Sequence, residues 1–103
     1  MESKDLESPT TEITKISMIE DNAVIRKNVM KFLSFHEEFQ IVDVFPSVEA
    51  FDHKMSIEPR FKFDVLLLDI GLPGISGIEA IPVIKDKLPE LDIIMLTTYE
   101  EED

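Results

Sequence analysis

The sequence contains no cysteine, so neither a disulfide framework nor a thiolate metal centre is available to it. It has no apolar run near the ~20 residues of a membrane span, and its first residues, MESKDLESPTTE, lack the apolar core of a signal peptide. Basic residues are few: ten Lys and Arg stand against 22 Asp and Glu, a formal net charge of -12. So acidic a surface is repelled by DNA and by anionic lipid, so this chain is expected to bind neither nucleic acid nor membrane directly. A cation or a basic protein surface suits it better. The phosphate-binding signatures G-x-x-x-x-G-K-[ST] and G-x-G-x-x-G are also missing, and nucleotide binding is not indicated. The lack of cysteine and of a targeting segment fits a cytoplasmic protein, which is the expected location. At 103 residues the chain makes one small domain at most.

What is present alternates between two periodicities. Residues 1–11 are polar and aperiodic and are expected to form a flexible tail; residues 12–103 form the domain. Ile13 to Ile19 is a β-branched apolar segment, expected to be a strand. From Asn22 onward Val24, Ile25, Val29, Phe32 and Leu33 recur at helical spacing, with Asp21 or Asn22 as the cap. Gln40 to Phe45 reads as a second strand, and Pro46-Ser47 opens a short helix to about Met55. Val65 to Leu68 is continuously apolar, the mark of a strand buried on both faces. Ser76 and Glu79 have the spacing of a capping box, and Ile78, Ile81, Ile84 and Leu88 continue a third helix. Pro82 demands either a late start or a kink there. Leu91 to Thr97 is a fourth strand. The order β-α-β-α-β-α-β implies an α/β fold, a doubly wound parallel sheet with helices on both faces. The chain stops directly after the fourth strand, so a C-terminally incomplete domain is expected.

In such a sheet ligands sit beyond the carboxyl ends of the strands, where the strand order reverses. Three strand ends here carry oxygen groups: Glu20-Asp21, Asp69 and Thr97-Thr98. Carboxylates converging on one crevice repel one another, and a divalent cation removes the conflict. Hard oxygen ligands without cysteine or a suitably placed histidine point to Mg²⁺. An aspartate beside Mg²⁺ at a strand end can act as a nucleophile toward phosphorus, in a reaction that needs mostly positioning and charge neutralisation. Gly71, Gly74 and Gly77 are expected to let the loop after Asp69 turn tightly.

Together, IEDN at 19–22, LLLDIGLPGISG at 66–77 and IIMLTTYEEED at 93–103 resemble the receiver domain of bacterial two-component response regulators, from about Ile13 to the end. The wording around Asp69 is most similar to the subfamily with a C-terminal helix-turn-helix output domain. The resemblance implies a flavodoxin-like receiver fold with strand order 2-1-3-4 and the fifth strand missing. It implies a signalling domain rather than an enzyme, in a phosphorelay that controls transcription. Asp69 matches the phosphoacceptor served by a sensor histidine kinase. Asp21 matches the direct Mg²⁺ ligand, Glu20 the acidic neighbour acting through water, and the Gly71 carbonyl the third protein ligand. Thr97 matches the hydroxyl that contacts the phosphoryl group, and Pro73 and Gly77 the loop-shaping positions. Homodimerisation also belongs to the implied repertoire, with DNA contacted only through the absent output domain. The lysine that pairs with the phosphoryl group lies in the part of the family pattern beyond Asp103, and no lysine here takes its place.

Two other functions compete. One is a truncated, non-catalytic interaction module that binds a kinase or regulator through its first helix without completing phosphorylation. The other is an aspartate-nucleophile phosphatase of the haloacid dehalogenase type, which wants an acid two positions after the nucleophile, where this chain has Gly71. Read singly, Asp69 is a turn former and Glu20-Asp21 a helix cap; their combination favours function. His36 and His53 read as surface residues, and Met18, Met30, Met55 and Met95 as core filler.

Overall fold

The computed structural model describes residues 12–58, 62–72 and 76–96. Strands β1 (Thr14–Ile19), β2 (Phe39–Phe45), β3 (Val65–Asp69) and β4 (Asp92–Leu96) alternate with helices α1 (Ala23–Leu33), α2 (Val48–Ile57) and α3 (Gly77–Lys87). The strands form one sheet in the order β2-β1-β3-β4, with every neighbouring pair parallel. The expected architecture and strand order are therefore observed. The chain steps outward from β1 to β2 and then returns to β1's other side for β3, so the β1/β3 junction is the switch point. No helix among the described residues is long and apolar enough to cross a membrane.

Local chemistry sets the element boundaries. Of the two cap candidates for α1, Asn22 serves: its Oδ1 accepts from the amides of Val24 at 2.8 Å and Ile25 at 3.1 Å. Ser47 caps α2 through the Ala50 amide at 3.0 Å. The capping box of α3 is complete, with Glu79 N–H donating to Ser76 Oγ at 3.1 Å and Ser76 N–H to Glu79 Oε1 at 3.4 Å. This helix does not start late, because it begins at Gly77 and runs through Pro82. The bond that Pro82 cannot donate would have gone to Ile78, an exposed residue that water can serve instead.

The main core lies on one face of the sheet. Ile19, Leu66 and Leu68 pack there with Phe45, Phe51 and Ile84, residues of β2, α2 and α3. Edge-on aromatic contacts tie Phe45 to Phe51 and Phe51 to Phe63, with centroids 5.4 and 6.2 Å apart. The other face is covered less completely. Met18 is fully buried, but Val65 and Leu67 are only half-buried, so β3 is not sealed on both sides as its apolar run predicts. Helix α1 has no fully buried residue, and Val24 and Phe32, which share its apolar spacing, are exposed. Met30 is exposed too, whereas Met55 and Met95 do pack against the core. His36 departs from its expected surface position. It is half-buried between Phe32 and Phe39, at centroid distances of 5.1 and 6.1 Å.

Candidate functional site at the carboxyl ends of β1 and β3

Register builds the site. Ile19 pairs with Leu68 across the β1/β3 junction, so the next residues, Glu20 and Asp69, emerge side by side. Asp21 follows one position later, on the exposed rim. One carboxylate oxygen from each of Glu20, Asp21 and Asp69 lies within 4.8 Å of the others. Glu20 and Asp69 are only 1 % and 3 % exposed, a degree of burial that carboxylates seldom show unless they are paired.

Hydrogen bonds hold these residues in place. The Glu20 N–H donates to the Phe45 carbonyl at 2.9 Å, tying the acidic turn to the end of β2. Glu20 Oε2 accepts from the Asn22 amide at 3.1 Å, and the Glu20 carbonyl accepts from Arg26 Nη1 at 2.8 Å. On β3, Asp69 Oδ1 accepts from the Gly71 amide at 3.1 Å, while the Ile70 amide donates to the Leu96 carbonyl at 3.2 Å. Asn22 thus caps α1 with its side chain and orients Glu20 with its backbone.

Burial pushes the Glu20 carboxyl up to about 7, with the charges of Asp69 and Asp21 adding to the shift and the Asn22 hydrogen bond opposing it. Its Oε1 is buried and receives no hydrogen bond among the described residues. The Asp69 carboxyl beside it is an acceptor as well, so a shared proton or a cation would satisfy Glu20 Oε1. An all-oxygen donor set with one buried, undonated oxygen fits a small hard divalent cation.

The raised value has a measurable consequence. The folded chain holds the Glu20 proton more tightly than the unfolded chain, whose carboxyl titrates near 4.5. The resulting stability is fully present below about pH 4.5 and is lost as pH rises through about 7. Without divalent cations, urea unfolding is expected to show a fall on the order of 2–3 kcal/mol between pH 4.5 and 7.5. Glu20→Gln should flatten that profile; an equally steep profile in the variant would assign it to other groups.

The loop after Asp69 depends on one glycine more than on the others. A Cβ at Gly77 would collide with the Asp69 carbonyl oxygen and lie 2.9 Å from the Asp69 carbonyl carbon. The start of α3 therefore rests directly on the backbone of the strand end, with the Gly77 amide donating to the Ile70 carbonyl at 3.3 Å. At Gly71 a Cβ would meet nothing within 4 Å among the described residues, so none of them imposes a steric demand for glycine at that position. Pro73, Gly74 and Thr97 lie outside the described residues. Arg26, a charged position of α1 between the apolar residues of its stripe, is drawn into the site through its bond to the Glu20 carbonyl. Its spacing of six from Glu20 signals nothing until the turn between β1 and α1 is formed.

A family model described as the response regulator receiver domain matches residues 16–103. The oxygen regulatory protein NreC of Staphylococcus carnosus is 34% identical over 91 residues, covering 86% of this chain and 40% of that protein. The transcriptional regulatory protein LnrK of Bacillus subtilis is 30% identical over 88 residues, covering 84% and 38%. The chain thus spans about 40% of the length of the curated relatives it matches. Among solved structures, the RcsB response regulator of Salmonella typhimurium superposes with a TM-score of 0.75 at 26% identity. That match covers 86% of this chain and 44% of RcsB. The response regulator DrrB of Thermotoga maritima gives a TM-score of 0.62 at 29% identity, covering 86% and 37%.

Proposed function

The chain belongs to the response regulator receiver domain family, and on that premise we propose that Asp69 accepts a phosphoryl group from a sensor histidine kinase in a Mg²⁺-dependent reaction. The observation that carries this reading is the trio of carboxylates at the switch point, with the buried Glu20 Oε1 undonated. Asp21, Asp69 and the Gly71 carbonyl would hold Mg²⁺, and Glu20 would act through water. The bound ion would neutralise negative charge on the carboxylates and on the incoming phosphoryl oxygens.

The chain's own residues carry the remaining work. An Asp69 carboxylate oxygen attacks the phosphorus of the phosphohistidine. A P–O bond forms as the P–N bond breaks, and the electron pair leaves on the imidazole nitrogen, which picks up a proton. The Gly71 amide, bonded to Asp69 Oδ1, holds the carboxyl so that its other oxygen is the one offered. Burial of Asp69 and Glu20 keeps the reacting group from wandering, which lowers the entropic part of the barrier. By the family resemblance, Thr97 would contact the phosphoryl group, and Pro73 and Gly77 would be the loop-shaping positions. The names of LnrK and NreC support a regulatory output, which in the intact protein would be control of transcription, with homodimerisation as part of the response.

Incubation with acetyl phosphate and Mg²⁺ tests this directly. Intact-mass measurement should show a phosphorylated species that forms with Mg²⁺ and not with EDTA. Borohydride reduction followed by peptide mapping should place it at Asp69. A phosphoryl group mapped to another residue, or uptake unaffected by EDTA, would refute the assignment. If the chain alone takes up none, a longer form that carries the further lysine should do so; failure there refutes it equally.

A further inference from the structure

We infer that Arg26 is a positioning residue for the acidic site, acting through the main-chain carbonyl of Glu20. The inference rests on the Mg²⁺-binding reading above. Arg26 Nη1 donates to the Glu20 carbonyl at 2.8 Å across six residues of chain, in partly buried surroundings. Among the described residues Arg26 takes part in no ion pair, although the carboxyl of Glu20 belongs to the very residue whose carbonyl it contacts. A guanidinium that takes a carbonyl in an acidic neighbourhood is holding backbone rather than cancelling charge.

The peptide it holds is the one between Glu20 and Asp21. The Glu20 N–H is bonded to the Phe45 carbonyl, and the Glu20 carbonyl is bonded to Arg26, so residue 20 is gripped on both sides. The Asn22 carbonyl in turn accepts from the Arg26 amide at 3.0 Å in the first turn of α1. Arg26 thereby joins the helix to the turn that aims Asp21. Without its donor, the peptide after Glu20 is free to rotate, and rotation would swing the Asp21 carboxylate away from those of Glu20 and Asp69.

Charge and positioning make opposite predictions, which gives the test its force. As a cation beside a cation site, Arg26 repels Mg²⁺, so its loss would tighten binding if charge alone mattered. Positioning predicts the reverse, a loss of roughly 10–100-fold in affinity, the usual cost of removing a group that orients ligands. The experiment titrates Mg²⁺ into the metal-free protein by calorimetry for wild type, Arg26→Met and Arg26→Lys. The Met variant keeps the apolar stem without a donor, and the Lys variant keeps both charge and donor. Weaker binding in Arg26→Met with recovery in Arg26→Lys is the expected result. Unchanged or tighter binding in Arg26→Met overturns the inference.

Amide NMR of Asp21 and Asn22 in the metal-free protein supplies a second readout. Sharp single signals are expected in wild type and the Lys variant, and exchange-broadened or doubled signals in the Met variant; identical sharp signals in all three overturn positioning. Should Arg26→Met fail to fold, Arg26→Gln, whose shorter side chain falls short of the carbonyl, carries the same predictions. A wild-type protein that binds no Mg²⁺ would refute the phosphoacceptor reading, while the amide signals would still decide the role of Arg26.

Discussion

Asp69→Asn is expected to abolish phosphoryl uptake and, at the same time, to stabilise the metal-free protein. The first effect follows because a carboxamide is not a nucleophile toward phosphorus, and no second acid stands where Asp69 stands. The second follows from crowding. Oxygens of Glu20, Asp21 and Asp69 lie within 4.8 Å of one another, a distance at which two like charges cost about 3 kcal/mol at an effective dielectric constant of ~20. Asparagine removes one of those charges and offers an N–H to the undonated Oε1 of Glu20. Its amide oxygen can still accept from Gly71. A gain on the order of 1–3 kcal/mol is expected in urea unfolding with EDTA at pH 7.5, alongside complete loss of the phosphorylated mass. A variant less stable than wild type under those conditions would show that Asp69 holds the fold rather than burdening it. Retention of a phosphorylated species would remove it as the acceptor. The opposed signs matter: loss of function with gain of stability marks a group kept for its chemistry.

The second large effect is expected at Gly77. Glycine in a helix ordinarily costs about 1 kcal/mol relative to alanine, so Gly77→Ala would raise stability if only helix propensity counted. Here the new methyl would run into the Asp69 carbonyl oxygen, with the Asp69 carbonyl carbon 2.9 Å and the Ile70 Cα 3.1 Å away. All three are backbone atoms, and β3 lies between β1 and β4, so they cannot yield as a side-chain tip can. Overpacking against backbone is expected to cost about 3 kcal/mol net of the propensity gain. Whatever relief occurs must move the backbone that carries Asp69, so phosphoryl uptake should fall as well. Gly71→Ala is the control, because its Cβ meets nothing within 4 Å among the described residues, and its unfolding free energy should stay within ~0.5 kcal/mol of wild type. Equal stability of the two alanine variants would refute the close approach of α3 to the Asp69 strand end.

Much of this was legible before the structure. Hydrophobic period and turn chemistry located the four strands and three helices of the described residues, and the capping box marked a start for α3 that Pro82 left open between a late start and a kink. These signals are local, and local rules read them. The resemblance carried by IEDN, LLLDIGLPGISG and IIMLTTYEEED supplied the strand order and the pairing of Glu20-Asp21 with Asp69, which periodicity alone leaves open.

Other features arise only when distant segments meet. The apolar run Val65–Leu68 reads as sealed on both faces, but exposure depends on what lies opposite, and Leu67 and Val65 are only half-covered. His36 looks like a surface residue until the chain turns after α1 and brings Phe39 to its other side. Gly71 and Gly77 look alike in sequence, yet among the described residues the backbone of Asp69 gives Gly77 a steric necessity that Gly71 does not meet.

The sequence by itself determined the α/β alternation, the helix caps and which oxygen-bearing residues stand at strand ends, because each depends on neighbours a few residues away. Tertiary structure alone decided that Glu20 is buried with an undonated oxygen, that its carboxyl is pushed up to about 7, and that Arg26 reaches back to its carbonyl. Those properties depend on dielectric surroundings and on register between strands some fifty residues apart, and neither is encoded in any local pattern.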